Sequence, residues 1–465
     1  MSSTSPTGVA RKLQRSGQKP ARQAGAAAVP ARQSQESIVT TARAGDHLAI
    51  HRFLLDVFHG PSASEFTAQL ENPAYEPSDR LIVKNRKQII GHVRLQQQLM
   101  HFGNQVIPIT NLTELAIAPE YRQRAIGSAL LEAAEAQLVQ EGSLLGTLET
   151  NLPQFYQQHG WTVARRPSFS IADARNILSY MRATQPEESR ISVGNPFKDS
   201  TLKSYNIRLW RHVEQEALIR LFNENTVHSY GPLERTEDYW RWLFSRRGYD
   251  RIYVAIDGPD KLQLNGSLKS IVGYAVIRQG QIMEIMNSPG HDQAAYQIIN
   301  RVCADVIEQE DRPIRIDAPS GHPLHAFMQS AGGQYHREGE SNGIQAMVKL
   351  FDSLAVLKQL REEINGRALQ ANLSRPFELG LEIQGKWYQI LFTPRSVKLV
   401  PGKSGRSHLR CENSVLTQLL MGYLDVQQAV DSGQLHASTR IAVETAQVIF
   451  PQLPLWRPPL DDSPA

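Results

Sequence analysis

The sequence predicts an α/β (α+β) protein made of mixed sheets flanked by helices. Three observations carry this prediction. Aliphatic and β-branched runs alternate with amphipathic helical stretches from Ser37 onward. The strand-helix-strand-strand-strand-helix-strand-helix-strand order of the first part returns from Asn206, in pattern rather than in residues. The last part then reads as a strand meander followed by helices.

Each element has its own signal. Ser37-Ile38-Val39-Thr40 is a first strand, and Ala44 to Phe58 is an amphipathic helix with Leu48, Phe53, Leu54, Val57 and Phe58 at its apolar positions. Leu81-Ile82-Val83 and Ile89 to Leu95 make a hairpin about Asn85-Arg86-Lys87, and Val106 to Ile117 is a long strand. Leu144 to Leu148 is a buried strand, and Phe169-Ser170-Ile171 is expected to close a first domain spanning 37–184. Residues 185–204 read as a linker. A second domain, 205–351, has strands at Asn206 to Leu209, Arg251 to Ile256, Ile271 to Ile277 and Gln281 to Met286, with helices at Glu214 to Asn223, Tyr239 to Phe244 and Tyr296 to Ile307. A third, 352–465, begins with a helix at Leu354. It continues with strands at Phe377 to Ile383, Trp387 to Phe392 and Val397 to Val400, then helices punctuated by Gly422, Gly433 and Pro451.

Composition narrows the function. A chain of 465 residues exceeds one compact domain, and its 41% apolar content supplies sizeable cores. No run approaches the roughly 18 consecutive apolar residues of a membrane span. The net charge of +4 comes from a basic tail, 1–36, where Arg11, Lys12, Arg15, Lys19, Arg22 and Arg32 precede any acid. The tail's Ala, Ser, Gln, Pro and Arg content predicts disorder. The remainder is close to neutral, which argues against a nucleic-acid surface. Two distant cysteines, Cys303 and Cys411, fit a reducing, cytoplasmic setting and give no metal-ligand spacing.

The most informative stretch is Leu115-Ala116-Ile117-Ala118-Pro119-Glu120-Tyr121-Arg122-Gln123-Arg124-Ala125-Ile126-Gly127-Ser128. A strand runs into a basic turn of small residues, and a helix opens directly after it. Ile126, Leu130, Ala134 and Leu138 recur on one face of that helix. The first N–H groups of a helix have no partner within it, and successive turn N–H groups can form an anion nest, so this is a phosphate site. An ordinary strand-turn-helix with solvated arginines is the competing reading. Further on, Asn151 to Trp161 holds Phe155-Tyr156 and Gly160-Trp161. Tyr156 is either a core aromatic or a proton donor.

Together these two segments resemble the GNAT acetyltransferases. Arg122 to Gly127 resembles their Arg/Gln-x-x-Gly-x-Gly/Ala acetyl-CoA turn, with Ala125 where the family usually has Gly. Such an Ala tightens the turn's steric limits and is tolerable if φ stays negative. The second domain resembles a degenerate GNAT fold, because Asn287-Ser288-Pro289-Gly290-His291-Asp292 puts an acid where phosphate would bind. Residues 352–465 resemble a sterol-carrier-protein-like domain. The whole is similar to the Eis (enhanced intracellular survival) family of N-acetyltransferases.

That resemblance implies acetyl-CoA as co-substrate, a small-molecule or peptide amine as acceptor, and a homo-oligomer, by family a hexamer. Carried over by position, Leu115, Ala116 and Ile117 would meet the pantetheine arm. Arg122, Gln123, Arg124, Ala125, Ile126, Gly127 and Ser128 would cradle the pyrophosphate. Asn151 and Leu152 would line the acyl slot, and Tyr156 would be the general acid. Family members use the terminal carboxylate as base, a role that would fall to Ala465. Asp461, Asp462 and Glu114 are rival bases. Backbone N–H groups near Ile117, freed by a break in strand pairing, would hold the oxyanion. A different class remains beside this reading: an inactive GNAT protein that binds a hydrophobic ligand through its third domain.

Overall fold

The computed structural model describes residues 38–164, 168–184, 203–260, 267–309, 313–336, 344–402 and 405–463. The predicted tail and residues 185–202 of the predicted linker lie outside these residues. Three sheets organise what is described. In the first, the order across the sheet is Val39–Thr41, Arg80–Asn85, Gln88–Phe102, Gln105–Ile117, Leu145–Thr150, Gln345–Leu350 and Thr162–Val163. Tyr230–Leu233 adds to the far end of Gln88–Phe102. Neighbours are antiparallel except Gln105–Ile117 and Leu145–Thr150, which the helix Ile126–Gln140 joins as a parallel crossover.

The second sheet repeats the plan. Its order is Gln334–His336, Phe169–Asp173, Pro313–Asp317, Gln281–Asn287, Ile271–Arg278, Arg251–Ile256 and Asn206–Leu209. Its parallel pair is Gln281–Asn287 with Pro313–Asp317, joined by the helix Asp292–Gln309. Mixed sheets flanked by helices, built twice, are the fold class that the sequence predicts.

One strand sits elsewhere than expected. Phe169–Asp173 does not close the first sheet: it pairs with Pro313–Asp317 and Gln334–His336 in the second. Its place in the first sheet is taken by Gln345–Leu350, which pairs along the whole of Leu145–Thr150. Alternation marks a segment as a strand but carries no information about its partner. Thr162–Val163, two residues long, is too short to cover that edge alone.

The third sheet runs Val397–Pro401, Lys386–Phe392, Phe377–Ile383, His408–Cys411, Leu435–Ala437. Its core is continuous with one end of the first sheet: Phe102, Ile107 and Leu145 pack in one cluster with Leu379, Ile390 and Phe392. From this region the chain returns over the second domain. Trp456 donates its N–H to the Tyr230 carbonyl at 3.0 Å. Gly231, at φ +111°, allows this approach, since a Cβ there would collide with the Trp456 backbone. Trp456 and Leu460 are buried against Phe222 and Trp240. Both cysteines are free and buried, and burial pushes each thiol up to about 12, so neither is a nucleophile. Among the described residues no helix is long and apolar enough to cross a membrane.

Candidate active site

The parallel pair of the first sheet comes apart. Gln105–Ile117 and Leu145–Thr150 are in register only at Ile109–Leu145, Thr110–Gly146 and Asn111–Thr147. Beyond that point Leu112–Ile117 still pairs with Gln88–Phe102, but among the described residues its other edge has no strand beside it. A slot therefore opens between two strand ends, with backbone amides and carbonyls along one wall. Leu115, Ala116 and Ile117 lie on that wall.

The pairing also breaks along this strand. His92 faces Ala116 but Arg94 faces Thr113, so Glu114 and Leu115 form a bulge, and Glu114 takes φ +56°. The break lies upstream of Ile117, at Glu114 and Leu115. The sequence places a carboxylate at Glu114, and the structure pairs it: Arg80 donates to it at 2.7 Å and Gln69 at 2.8 Å. Burial raises this carboxyl, but Arg80, His92 and Arg94 outweigh burial and hold it below its ordinary value. A carboxylate so held is a weak base.

The turn after the strand is built from left-handed residues. Gln123 has φ +61° and Ala125, the N-cap of the helix Ile126–Gln140, has φ +59°. Ala125 therefore does not meet the condition, a negative φ, under which an Ala is easily tolerated there. Arg122 before these two residues is extended, so two left-handed residues one apart turn the chain sharply at the strand end, and such turns can present successive N–H groups to an anion. Arg122, Gln123, Arg124 and Ala125 are exposed, while Ile126 is buried and anchors the helix. Arg122 donates back to the Ile117 carbonyl at 3.3 Å, and Arg124 stacks 5.0 Å from the Tyr121 ring centroid.

The second motif meets the first. A Cβ on Gly127 would lie 3.6 Å from the Phe155 ring, and His159 Nε2 is 3.3 Å from Ser128 Oγ. The helix Pro153–Gln158 thus packs on the helix that carries the turn. Asn151 and Leu152 precede it and are exposed. Tyr156 is 7% exposed between Phe155 and Trp161, and its hydroxyl has no hydrogen-bond partner among the described residues. Burial pushes its pKa up to about 12, so the phenol keeps its proton at any physiological pH.

The C-terminal segment reaches this region. Arg457 donates to the Gln98 side chain at 2.9 Å, on the first sheet, and pairs with Asp462 at 3.1 Å. Asp461 is buried and accepts from Arg235. The Asp462 side chain is half exposed. Its carboxyl is raised by partial desolvation and by Asp461 and Glu149, against Arg457 and Arg246. Ala465 lies outside the described residues.

The second sheet offers no comparable turn. Asp292 heads the helix Asp292–Gln309 and accepts from Asn287 at 3.1 Å, while His291 contacts the Tyr205 hydroxyl at 3.1 Å. An acid at a helix N-terminus already occupies the place an anion would take.

Comparison with known proteins agrees with this geometry. Residues 39–164 match the family model described as acetyltransferase (GNAT) domain. The chain carries an acetyltransferase domain. No protein of curated function matches the sequence. Among solved structures, a GCN5-related N-acetyltransferase from Kribbella flavida superposes at TM-score 0.65 and 14% identity, covering 90% of this chain and 99% of that one. A probable N-acyltransferase from Enterococcus faecalis V583 gives TM-score 0.66 at 14% identity, covering 90% and 98%. Eis1 from Mycobacterium abscessus gives 0.57 at 13%, with the same coverage. At such identities the likeness is one of fold. The acetyltransferase domain holds the slot, the turn and Tyr156 in one place.

Sequence reasoning missed a polar face. Arg80, Arg94 and Thr113 lie side by side across three strands of this domain, and Asn111, Thr147 and Glu149 continue the same face. Its signal was His92, Arg94, Gln96 and Gln98 at period two, which reads as a solvated strand face. The structure buries its first half: Arg80 and His92 are 0% exposed and Arg94 7%.

Proposed function

We propose that this protein is an acetyl-CoA-dependent N-acetyltransferase acting on an amine. The observation that carries the reading is the parting of the strands beyond Asn111–Thr147, beside a left-handed turn and a protonated phenol. Unpaired backbone groups at Leu112–Ile117 suit the amides of a pantetheine arm. The N–H groups of Gln123 to Ser128, with Arg122 and Arg124, suit a pyrophosphate. When bound, acetyl-CoA supplies a thioester whose carbonyl carbon takes the amine's electron pair as the C–S bond breaks.

The chain's residues do the rest. The bulge at Glu114–Leu115 turns a backbone N–H towards the charge that develops on the carbonyl oxygen. Tyr156 donates its proton to the departing sulfur. A carboxylate takes the proton lost by the amine. Burial in ion pairs with Arg235 and Arg80 counts against Asp461 and Glu114, leaving Asp462, whose pair with Arg457 is half exposed, and, three residues on, the family's terminal position at Ala465. Most of the acceleration comes from holding the two reactants together.

The Eis-like identity, the sterol-carrier-like third domain, the hexamer and the absence of an acyl-CoA site in the second domain belong to the same proposal. They rest on the order of domains and on the residues that carry the resemblance. For the hydrophobe-carrier alternative, the third region is filled by Leu379, Ile390 and Phe392, and a cavity of about 800 Å³ at its border is lined by Val139, Leu350 and Phe351 together with Glu132, Glu135, Lys349 and Glu412. The test is thiol release from acetyl-CoA by the full chain over a panel of amines. Turnover with any of them supports the proposal, and acetyl-CoA binding without turnover on any amine overturns it.

A further inference from the structure

The polar face of the first sheet carries more positive charge than its own residues neutralise. Arg80 and Arg94 are directly opposite on neighbouring strands, and Thr113 is directly opposite Arg94 on the next. Arg80 is satisfied in part. It donates from Nη1 to Glu114 at 2.7 Å and from Nη2 to Gln69 at 2.7 Å. Arg94 is not: among the described residues it has neither a hydrogen bond nor an ion pair, only the face of Tyr75, at 5.9 Å from its ring centroid. Three buried donors, Arg80 Nε, Arg94 Nε and Thr113 Oγ1, stand without an acceptor.

The surrounding groups do not compensate. Glu114 is the one carboxylate paired in the cluster, and it belongs to Arg80. Desolvation holds His92 at about 4 and lowers His47, so both rings are neutral near pH 7. Asp79 bonds the backbone N–H of Glu76 at 2.9 Å and forms no ion pair with Arg94. A guanidinium buried without a partner is costly, and a fold that keeps one has a use for it.

The opposite end of the same face is acidic. Glu149 projects on the face of Thr147 and Asn111, and Asp462 lies within its field. The slot wall runs between the two ends, since Thr113 and Glu114 belong to the strand whose edge is free. A ligand on this face meets donors at one end and carboxylates at the other.

We propose that Arg94, with Arg80 Nε and Thr113, binds a carboxylate of the acceptor, so that the acceptor is an amino-acid-like amine carrying both groups. A guanidinium and a hydroxyl both donate to carboxylate oxygens, the guanidinium with a charge of the opposite sign. The amine of such a molecule then points towards Asp462. This rests on the acetyltransferase reading for its meaning, but its test does not need turnover.

Calorimetry on the full chain would use L-lysine, L-glutamate, L-leucine and L-phenylalanine, each as the free acid and as its carboxamide. At least one acid is expected to bind tenfold or more tightly than its amide, and Arg94→Met is expected to abolish that preference. If Arg94 were merely structural, Arg94→Met would lower the melting temperature; relief of an unpaired buried charge predicts an unchanged or higher one. Acid and amide binding alike, or no binding across the panel, overturns the proposal, and the wild-type pairs decide this even if the variant fails to fold. An acid preference that emerges only after residues 463–465 are deleted would assign Arg94 to the chain's own end and also overturn it. Thiol release, measured separately, decides whether acyl transfer occurs.

Discussion

Arg235 donates from Nε and Nη2 to the two oxygens of Asp461, each at 3.0 Å, across 226 residues of sequence. The same guanidinium holds Glu284 at 2.7 Å, and all three side chains are fully buried. This network pins the C-terminal segment to the second sheet through Glu284. Removing one carboxylate leaves the arginine partly unpaired in a dry site. Asp461→Ala is expected to cost about 3 kcal/mol in chemical denaturation and to release the segment to proteolysis. An unchanged midpoint would show that the segment is held by other contacts.

Asp462, one residue on, behaves differently. Its half-exposed ion pair with Arg457 contributes little, so Asp462→Asn should change stability by no more than about 0.5 kcal/mol. If it is the base, it works only when deprotonated. The rate therefore falls as pH drops through its carboxyl pKa, which desolvation raises above its ordinary value. The variant should lose that acidic limb and at least tenfold in kcat. Retention of the limb, with its loss on deleting 463–465, would move the role to the chain end.

Tyr156→Phe should lower kcat by roughly 10² while acetyl-CoA binding stays unchanged. Because the phenol titrates at about 12, no basic limb from Tyr156 is expected below pH 10. Equal kcat in the variant would reduce Tyr156 to a core aromatic.

Ala125 stores strain at φ +59°. A Cβ in the left-handed region costs about 1–2 kcal/mol, and glycine gives back part of the gain through its freer unfolded state. Ala125→Gly should therefore stabilise by about 0.5–1 kcal/mol and leave acetyl-CoA affinity equal or tighter. A destabilised variant would mean that the turn holds this conformation without cost.

His92 makes the fold acid-sensitive. Its pKa is lowered from 6.5 to about 4 by burial, so between those values the unfolded chain binds a proton that the folded one refuses. Stability rises with pH across that window and falls as pH drops from 6.5 to 4, by roughly 3 kcal/mol in all. In His92→Gln this part of the dependence should disappear from a pH series of denaturation midpoints.

Much of this was open to reading in the sequence. Ile126, Leu130, Ala134 and Leu138 announced their helix, and small residues after Pro119 announced the turn, because both depend on neighbours in sequence. The conformation of Ala125 was not readable, since Ala neither demands nor forbids a left-handed cap when packing insists. The partner of Phe169–Asp173 and the burial of Arg94 depend on segments far away in the chain. A period-two row of polar residues looks the same whether water or protein covers it.

The exchange of Phe169–Asp173 for Gln345–Leu350 sets the order in which the molecule can be completed. A chain leaving the ribosome presents the acetyltransferase residues first, yet the strand that flanks the slot, Leu145–Thr150, gains its outer neighbour only when the second domain has been made. Until then its edge is bare, with amides and carbonyls open to any passing strand. The flank of the slot is thus completed only after residue 350 has emerged.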